Sequence, residues 1–143
     1  MEAQPRVEIV PGGDAGVAVL FDLAKSVFAD VPGWSDRRVL DVLRRDVVFV
    51  ARDEGRAAGY VALHREVDEA TVVDQLLVAA GHERRGVGHR LLAYAEGYAI
   101  AAGARTLRIV VEADNRPARG FYLRSGFVPV AEELFERVLP RPG

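Results

Sequence analysis

The sequence predicts an α/β or α+β fold in which helices cover a β-sheet. Short β-branched runs alternate with segments of helical period in the second half of the chain. The 143-residue chain is half hydrophobic and 28% charged, which is typical of one ordinary globular domain. No linker, repeat or low-complexity segment divides it, so we expect residues 1–143 to form a single domain.

Strands are predicted where β-branched or apolar runs are bounded by turn residues. These runs are Val7–Val10, Val47–Ala51, Ala58–His64, Thr71–Val78 and Thr106–Val111, with one or two more strands within Phe127–Val138. Gly55 marks a turn between the second and third runs, which predicts that they pair as neighbours.

Helices are predicted where apolar residues recur every 3.6 positions between capping signals. The segments run from Val17 to Phe28 after a capping Asp14, from Ser35 to Leu43, from the glycine-rich stretch to about Ala102, and from Pro117 to Ser125. Gly103 is the stop signal of the third helix. The predicted order is therefore β-α-α-β-β-β-α-β-α-β, with a final strand as an open alternative.

The composition argues against several classes of function. The chain contains no cysteine, so it has no disulfide framework and no thiol chemistry of its own. A net charge of −2 argues against a general nucleic-acid binder. The first residues lack the apolar region of a signal peptide, and no run approaches about 18 apolar residues, so we expect a cytoplasmic protein without a membrane span. His64, His82 and His89 do not have metal-ligand spacing, so we expect no metal.

The stretch Glu83–Leu92 places two arginines and two glycines directly before an apolar helical pattern. Gly86 and Gly88 remove side chains at a helix N-terminus, where bare N–H groups, the helix dipole and the charges of Arg84 and Arg85 can together hold an anion. Neither the P-loop pattern nor the dinucleotide fingerprint fits, because the Lys-Ser/Thr pair and the small third residue are missing. A solvated turn with incidental arginines is the alternative.

A second informative stretch, Asn115–Phe127, reads NRPARGFYLRSGF. Asn115 suits the N-cap of a helix and Pro117 suits its first turn. Gly126 stops the helix and Phe127 returns the chain to the core. Helix formation explains each of these residues, but it does not explain why the glycine-rich stretch precedes them.

Together the two stretches resemble the GNAT family, the Gcn5-related N-acetyltransferases. The family's acyl-CoA loop has Gln or Arg followed at fixed spacing by two small residues, after a strand that ends in valine. Leu76-Leu77-Val78 and Gly86-Val87-Gly88 are similar to this pattern, with Glu83 where the family prefers Gln or Arg. The later family motif N-x-x-A-x-x-x-Y-x-x-x-G-F is matched by Asn115, Ala118, Tyr122, Gly126 and Phe127. The order of elements also resembles the family's fold, a mixed, mostly antiparallel sheet flanked by helices.

The resemblance implies an N-acetyltransferase that moves the acetyl group of acetyl-CoA directly to a primary amine of a small molecule or peptide. It implies that the pyrophosphate lies against N–H groups from about Arg84 to His89 and that the pantetheine arm pairs with Leu76–Val78. The cofactor-binding residues it implies are Leu76, Leu77, Val78, Arg84, Arg85, Gly86, Val87, Gly88, His89, Asn115, Ala118 and Tyr122. Similar proteins are often dimers, so a homodimer is a further expectation.

Acetyl transfer needs a neutral amine and a stabilised leaving thiolate. An alkylammonium has a pKa of about 10.4, so a base has to remove its proton. Asp74, on the strand that feeds the cofactor edge, is the candidate base, acting through water; Glu66, Asp68, Glu112 and His64 are lesser candidates. Tyr122 matches the family's general acid. The alternative function is a non-catalytic acyl-CoA-binding or interaction domain of the same fold.

Overall fold

A computed structural model of the chain describes residues 7–14, 16–28, 30, 34–82 and 86–141. The predicted order of elements is confirmed, and the final strand is present. The elements are β1 (Val7–Pro11), α1 (Val17–Phe28), α2 (Asp36–Arg45), β2 (Val47–Asp53), β3 (Arg56–Arg65), β4 (Ala70–Val78), α3 (Val87–Ala101), β5 (Thr106–Val110), α4 (Arg116–Arg124), β6 (Val128–Pro129) and β7 (Leu134–Val138). A short 3-10 turn, Gly12–Asp14, follows β1.

The described strands form one seven-stranded sheet in the order β1-β2-β3-β4-β5-β7-β6. Only β4 and β5 pair in parallel, so the sheet is mixed and mostly antiparallel, as the family resemblance implies. Helices cover both faces. On β3, Tyr60 and Ala62 belong to the core cluster under α1 and α2, whereas Val61 and Leu63 belong to the cluster under α3. This alternation follows from the two-residue period of a strand.

Local capping signals account for where two of the helices begin. The Ser35 side chain accepts a hydrogen bond from the Arg38 backbone N–H at the start of α2. At the start of α4, the Asn115 side chain accepts one from the Ala118 N–H. Asp14 lies in the 3-10 turn, and its predicted capping contact falls outside what the structure describes.

Strand β4 holds the feature that positions the site. It pairs with β3 along almost its whole length, but with β5 only from Ala70 to Val73. Ala62 faces Gln75 and the next residue of β3 faces Val73, so Asp74 is the extra residue of a β-bulge. Beyond the bulge, the β5-facing edge of β4 has no partner strand among the described residues. The sheet therefore opens between β4 and β5.

No helix among the described residues is long and apolar enough to cross a membrane.

Candidate active site

A cleft of about 540 Å³ follows the open edge of β4 and is called the glycine cleft below. Its walls come from the end of β4, the start of α3 and one face of α4. The lining residues are Leu76, Leu77, Val78, Gly86, Gly88, His89, Ala118, Phe121, Tyr122 and Arg124. Both sequence stretches that resemble the GNAT motifs therefore contribute to one cleft.

The two glycines of this cleft serve different physical purposes. Gly86 is the N-cap of α3 with a φ of 75°, a left-handed conformation that favours glycine. Gly88 has an ordinary backbone, and a Cβ there would lie 3.5 Å from Phe121 Cζ and 3.6 Å from Val78 Cγ2. Those are ordinary van der Waals contacts, so the protein itself does not require glycine at Gly88. Its missing side chain leaves space within the glycine cleft.

Tyr122 lies on the inner face of α4 and is 5% exposed. Its ring makes edge contacts with Phe121 and Phe127, at centroid distances of 5.1 and 5.5 Å. Burial raises the pKa of the Tyr122 phenol above its usual value, so the hydroxyl keeps its proton at neutral pH. No described residue forms a hydrogen bond with this hydroxyl, which makes it a donor within the lining of the glycine cleft.

A second cleft, of about 460 Å³, lies on the α2 side of the same strand and is called the Asp74 cleft. Its lining residues are Phe28, Trp34, Ser35, Arg38, Val39, Asp41, Val42, Arg45, Asp74, Gln75 and Glu112. Apolar rings thus stand beside three carboxylates and two guanidinium groups. Gln75 is held by a 2.6 Å hydrogen bond from the buried Tyr60 hydroxyl. Consecutive residues of β4 line the two clefts, Gln75 the Asp74 cleft and Leu76 the glycine cleft.

The Asp74 carboxylate is the centre of a charged cluster. Its Oδ2 lies 2.5 Å from His64 Nδ1 and 3.4 Å from Arg45 Nη2. His64 Nε2 lies 2.9 Å from Glu66 Oε1, so the imidazole bridges two carboxylates. Burial alone would lower the pKa of His64, but the hydrogen bonds to Glu66 and Asp74 outweigh it and raise that pKa.

Asp46, at the C-cap of α2, completes the cluster from the inside. Its side chain is 0% exposed, and its Oδ1 accepts a 2.9 Å hydrogen bond from Arg45 Nε. Burial, followed by the proximity of the Asp74 carboxylate, raises the pKa of Asp46 to about 7. One ligand-type atom each from Asp46, His64 and Asp74 lies within 4.8 Å of the other two.

Two carboxylates and an imidazole are also groups that divalent cations bind. In this cluster, however, the His64–Asp74 contact is a direct hydrogen bond, and Arg45 lies against both aspartates. These direct contacts allow the groups to share a proton.

The structure brings eight of the twelve predicted cofactor-binding residues together in the glycine cleft, and four are exceptions. Val87 is fully buried in the core, and Asn115 caps α4 without lining the glycine cleft. Arg84 and Arg85 lie outside the described residues, so their predicted role in binding an anion stays a prediction. His89 is exposed, and its ring lies 4.7 Å from that of Phe121.

The lesser candidates for a base separate into two groups. His64 and Glu66 belong to the charged cluster, and Glu112 lines the Asp74 cleft. Asp68 instead forms a 2.6 Å ion pair with Arg108, which holds the pKa of that carboxyl below its usual value.

Sequence reasoning missed Asp46, because nothing in its local pattern predicts that this carboxylate turns inward. From sequence, an aspartate directly after a helix is expected to be exposed to solvent at the helix C-terminus. Its burial depends on the packing of α2 against β3, which the chain brings together from distant positions.

The fold is the one seen in the PaiA N-acetyltransferase of Thermoplasma acidophilum, solved in complex with coenzyme A. The TM-score is 0.77 at 17% identity, covering 92% of this chain and 98% of that chain. At the level of sequence, residues 19–127 match the model of the Acetyltransferase (GNAT) family. The chain belongs to the GNAT family.

Two sequence relatives extend the comparison. An uncharacterized N-acetyltransferase of Bacillus subtilis, YhfO, is 29% identical over 86 residues, covering 57% of this chain and 58% of that protein. A streptothricin acetyltransferase of Escherichia coli is 25% identical over 77 residues, covering 54% and 44%. The matches thus span about half the length of these relatives.

Proposed function

We propose that the protein transfers the acetyl group of acetyl-CoA directly to a primary amine. The observation that carries the proposal is that two clefts are lined by consecutive residues of one strand, β4. The glycine cleft follows Leu76–Val78, and the Asp74 cleft includes the two residues before it. An acyl donor in the first cleft and an amine in the second would be neighbours, which favours reaction by proximity.

The glycine cleft suits an extended, amide-containing donor with an anionic end. The unpaired edge of β4 offers backbone N–H and C=O groups to which an extended arm can add like a strand. The N-terminus of α3 offers further N–H groups and a positive dipole end for a pyrophosphate. Coenzyme A has both features, and the PaiA structure of the same fold is described as a coenzyme A complex.

The Asp74 cleft suits a molecule that carries an ammonium group next to an apolar group. The carboxylates of Asp41, Asp74 and Glu112 attract an ammonium, and Phe28 and Trp34 provide apolar surface. Because an ammonium is not nucleophilic, its proton has to leave first. Asp74 would accept it through a water molecule, with His64 bonded directly behind the carboxylate.

In the transfer step, the neutral amine nitrogen attacks the thioester carbonyl carbon. A C–N bond forms, the C–S bond breaks, and sulfur leaves with the electron pair of that bond. The proton held by the Tyr122 hydroxyl can hydrogen-bond to the departing thiolate or pass to it. The second proton of the amine goes to water, and it restores the Tyr122 hydroxyl where the phenol has given its own proton to the thiolate. The products are an N-acetylated amine and free CoA.

The test is release of the CoA thiol from acetyl-CoA in the presence of peptides, polyamines, amino acids and amino sugars. The protein has no cysteine, so a thiol-reactive dye reports released CoA without background from the chain. We expect at least one class of amine to raise the release above the rate without amine. Tight binding of acetyl-CoA with no amine-dependent release by any class would contradict the transferase and support an acyl-CoA-binding domain.

A further inference from the structure

Asp46 is a buried carboxylate that the proposed chemistry does not yet use. It follows α2 as a C-cap, with its backbone N–H bonded to Val42 O and its φ and ψ at −82° and 159°. The chain turns there from the helix into β2. This turn directs the side chain inward, where it is 0% exposed.

One oxygen of this carboxylate lacks a donor. Asp46 Oδ1 accepts a hydrogen bond from Arg45, but Oδ2 is buried and has no hydrogen-bond partner among the described residues. A buried acceptor without a donor costs free energy, unless the group itself carries a proton and donates it. Asp74 is the neighbour that could receive such a hydrogen bond, since its carboxylate lies in the same cluster.

A lone exposed aspartate is a poor base for an ammonium, because its pKa of about 3.9 lies far below that of the amine. Two carboxylates that share one site do not ionise independently, and one of them holds its proton to a higher pH. A second carboxylate close to Asp74 therefore makes the cluster a stronger base near neutral pH.

We propose that Asp46 shares a proton with Asp74 and thereby makes the Asp74–His64 pair basic enough to accept the proton of the acceptor amine. Asp46 is a positioning residue in this scheme, because it contacts neither cleft and acts through Asp74. The inference rests on the proposed function. Its structural part, the coupling of Asp46 to His64, is measurable without any acceptor.

The charges that face this cluster come from four segments. Helix α2 contributes Arg38, Asp41 and Arg45. Strand β3 and the residue after it contribute His64 and Glu66, β4 contributes Asp74, and the segment after β5 contributes Glu112. Arg45 contacts both aspartates and favours the ionised form of Asp46. It is 59% exposed and screened by water, so it does not cancel the effect of a fully buried carboxylate.

The decisive measurement is the pKa of His64 by NMR titration of the imidazole resonances. The chain has three histidines, so variants of His82 and His89 assign the signals. Asp46→Asn keeps the shape of the side chain but cannot ionise. We expect the pKa of His64 to fall by roughly half a unit or more, because an ionised Asp46 stabilises the imidazolium. The resonances of His82, which contacts Asp53 instead of this cluster, serve as an internal reference.

Glu136→Gln is the matched control, since Glu136 is a partly buried carboxylate in an ion pair with Arg108. It should leave the pKa of His64 unchanged. An unchanged pKa of His64 in folded Asp46→Asn would overturn the coupling, whether or not the protein is a transferase.

With a working acceptor, the pH profile of kcat/KM tests the catalytic part. We expect the acidic limb of Asp46→Asn to move to lower pH and the plateau of kcat to fall about three- to thirty-fold, with the KM for acetyl-CoA unchanged. A lower rate without any shift of the acidic limb would make Asp46 a purely structural residue. If no amine is acetylated while the pKa of His64 still shifts, the proposed function fails and the coupling stands.

Discussion

The glycine cleft and the Asp74 cleft share one strand but are built from different materials. The glycine cleft consists mainly of a backbone edge, a helix N-terminus and positions with small side chains. The Asp74 cleft consists mainly of charged and aromatic side chains from α1, the residues before α2, α2 itself, β4 and the segment after β5. If the clefts bind donor and acceptor as we propose, a backbone site can keep the same donor throughout a family, whereas a side-chain site can change its acceptor by substitution.

The largest expected effect on kcat is at Tyr122. Here the proposed chemistry of the glycine cleft depends on one side chain instead of the backbone. Tyr122→Phe keeps the ring contacts with Phe121 and Phe127 but removes the donor. We expect kcat to fall about ten- to a hundred-fold, from the magnitude of a hydrogen bond to a charged group. Binding of acetyl-CoA should change little, because the interaction strengthens only in the transition state.

The matched control is Tyr94→Phe on the exposed surface of α3, which should keep the kcat of the unmodified protein. Steady-state kinetics with any working amine measure kcat, and melting curves show whether the variants are folded. A folded Tyr122→Phe with unchanged kcat would leave Tyr122 as a packing residue.

A second prediction concerns the empty space at Gly88. Gly88→Val should weaken CoA binding about tenfold or more, because the branched side chain would fill the part of the cleft beside Val78 and Phe121. Gly88→Ala should weaken it less, while the higher helix propensity of alanine raises the melting temperature. Calorimetric titration with CoA measures both variants.

Gly97→Val is the control, since Gly97 is on the same helix and a Cβ there meets nothing within 4 Å. It should bind CoA normally. Equal affinities for folded Gly88→Val and Gly97→Val would show that the space at Gly88 is not a ligand site.

A third, smaller effect concerns the charged cluster around Asp74 and is measured as the pH dependence of the free energy of unfolding. The pKa of Asp46 in the folded protein, about 7, lies above the value of about 3.9 for an unfolded aspartate. The folded state therefore binds more protons between these values, and the free energy of unfolding should decrease as pH rises from about 4 to 7.

Asp46→Asn removes this dependence because the amide does not titrate. Relative to the unmodified protein, we expect the variant to gain at least about 1 kcal/mol of unfolding free energy between pH 5 and pH 8. Urea unfolding at both pH values provides the comparison. Parallel pH curves for the two proteins would show that Asp46 ionises as it does in an unfolded chain.

The same contrast explains what the sequence could predict. Helix α4 was predicted within one residue at each end because Asn115, Pro117 and Gly126 carry local backbone signals. The cofactor side of the site rests on such signals. The bulge at Asp74 and the inward turn of Asp46 depend on strand register and on packing between distant segments. No local pattern encodes those contacts, so the cluster behind the predicted base became visible only in the folded chain.

The opening between β4 and β5 also bears on aggregation. An unpaired strand edge can recruit a strand from another molecule. This edge, however, lies in the interior of the sheet order, and α3 and α4 stand over it as the walls of the glycine cleft. These walls narrow the approach to the edge, so we expect them to hinder the docking of a polypeptide strand with its own side chains more than that of a thin, flexible arm. The two helices thus limit strand recruitment at an edge that the sheet leaves unpaired.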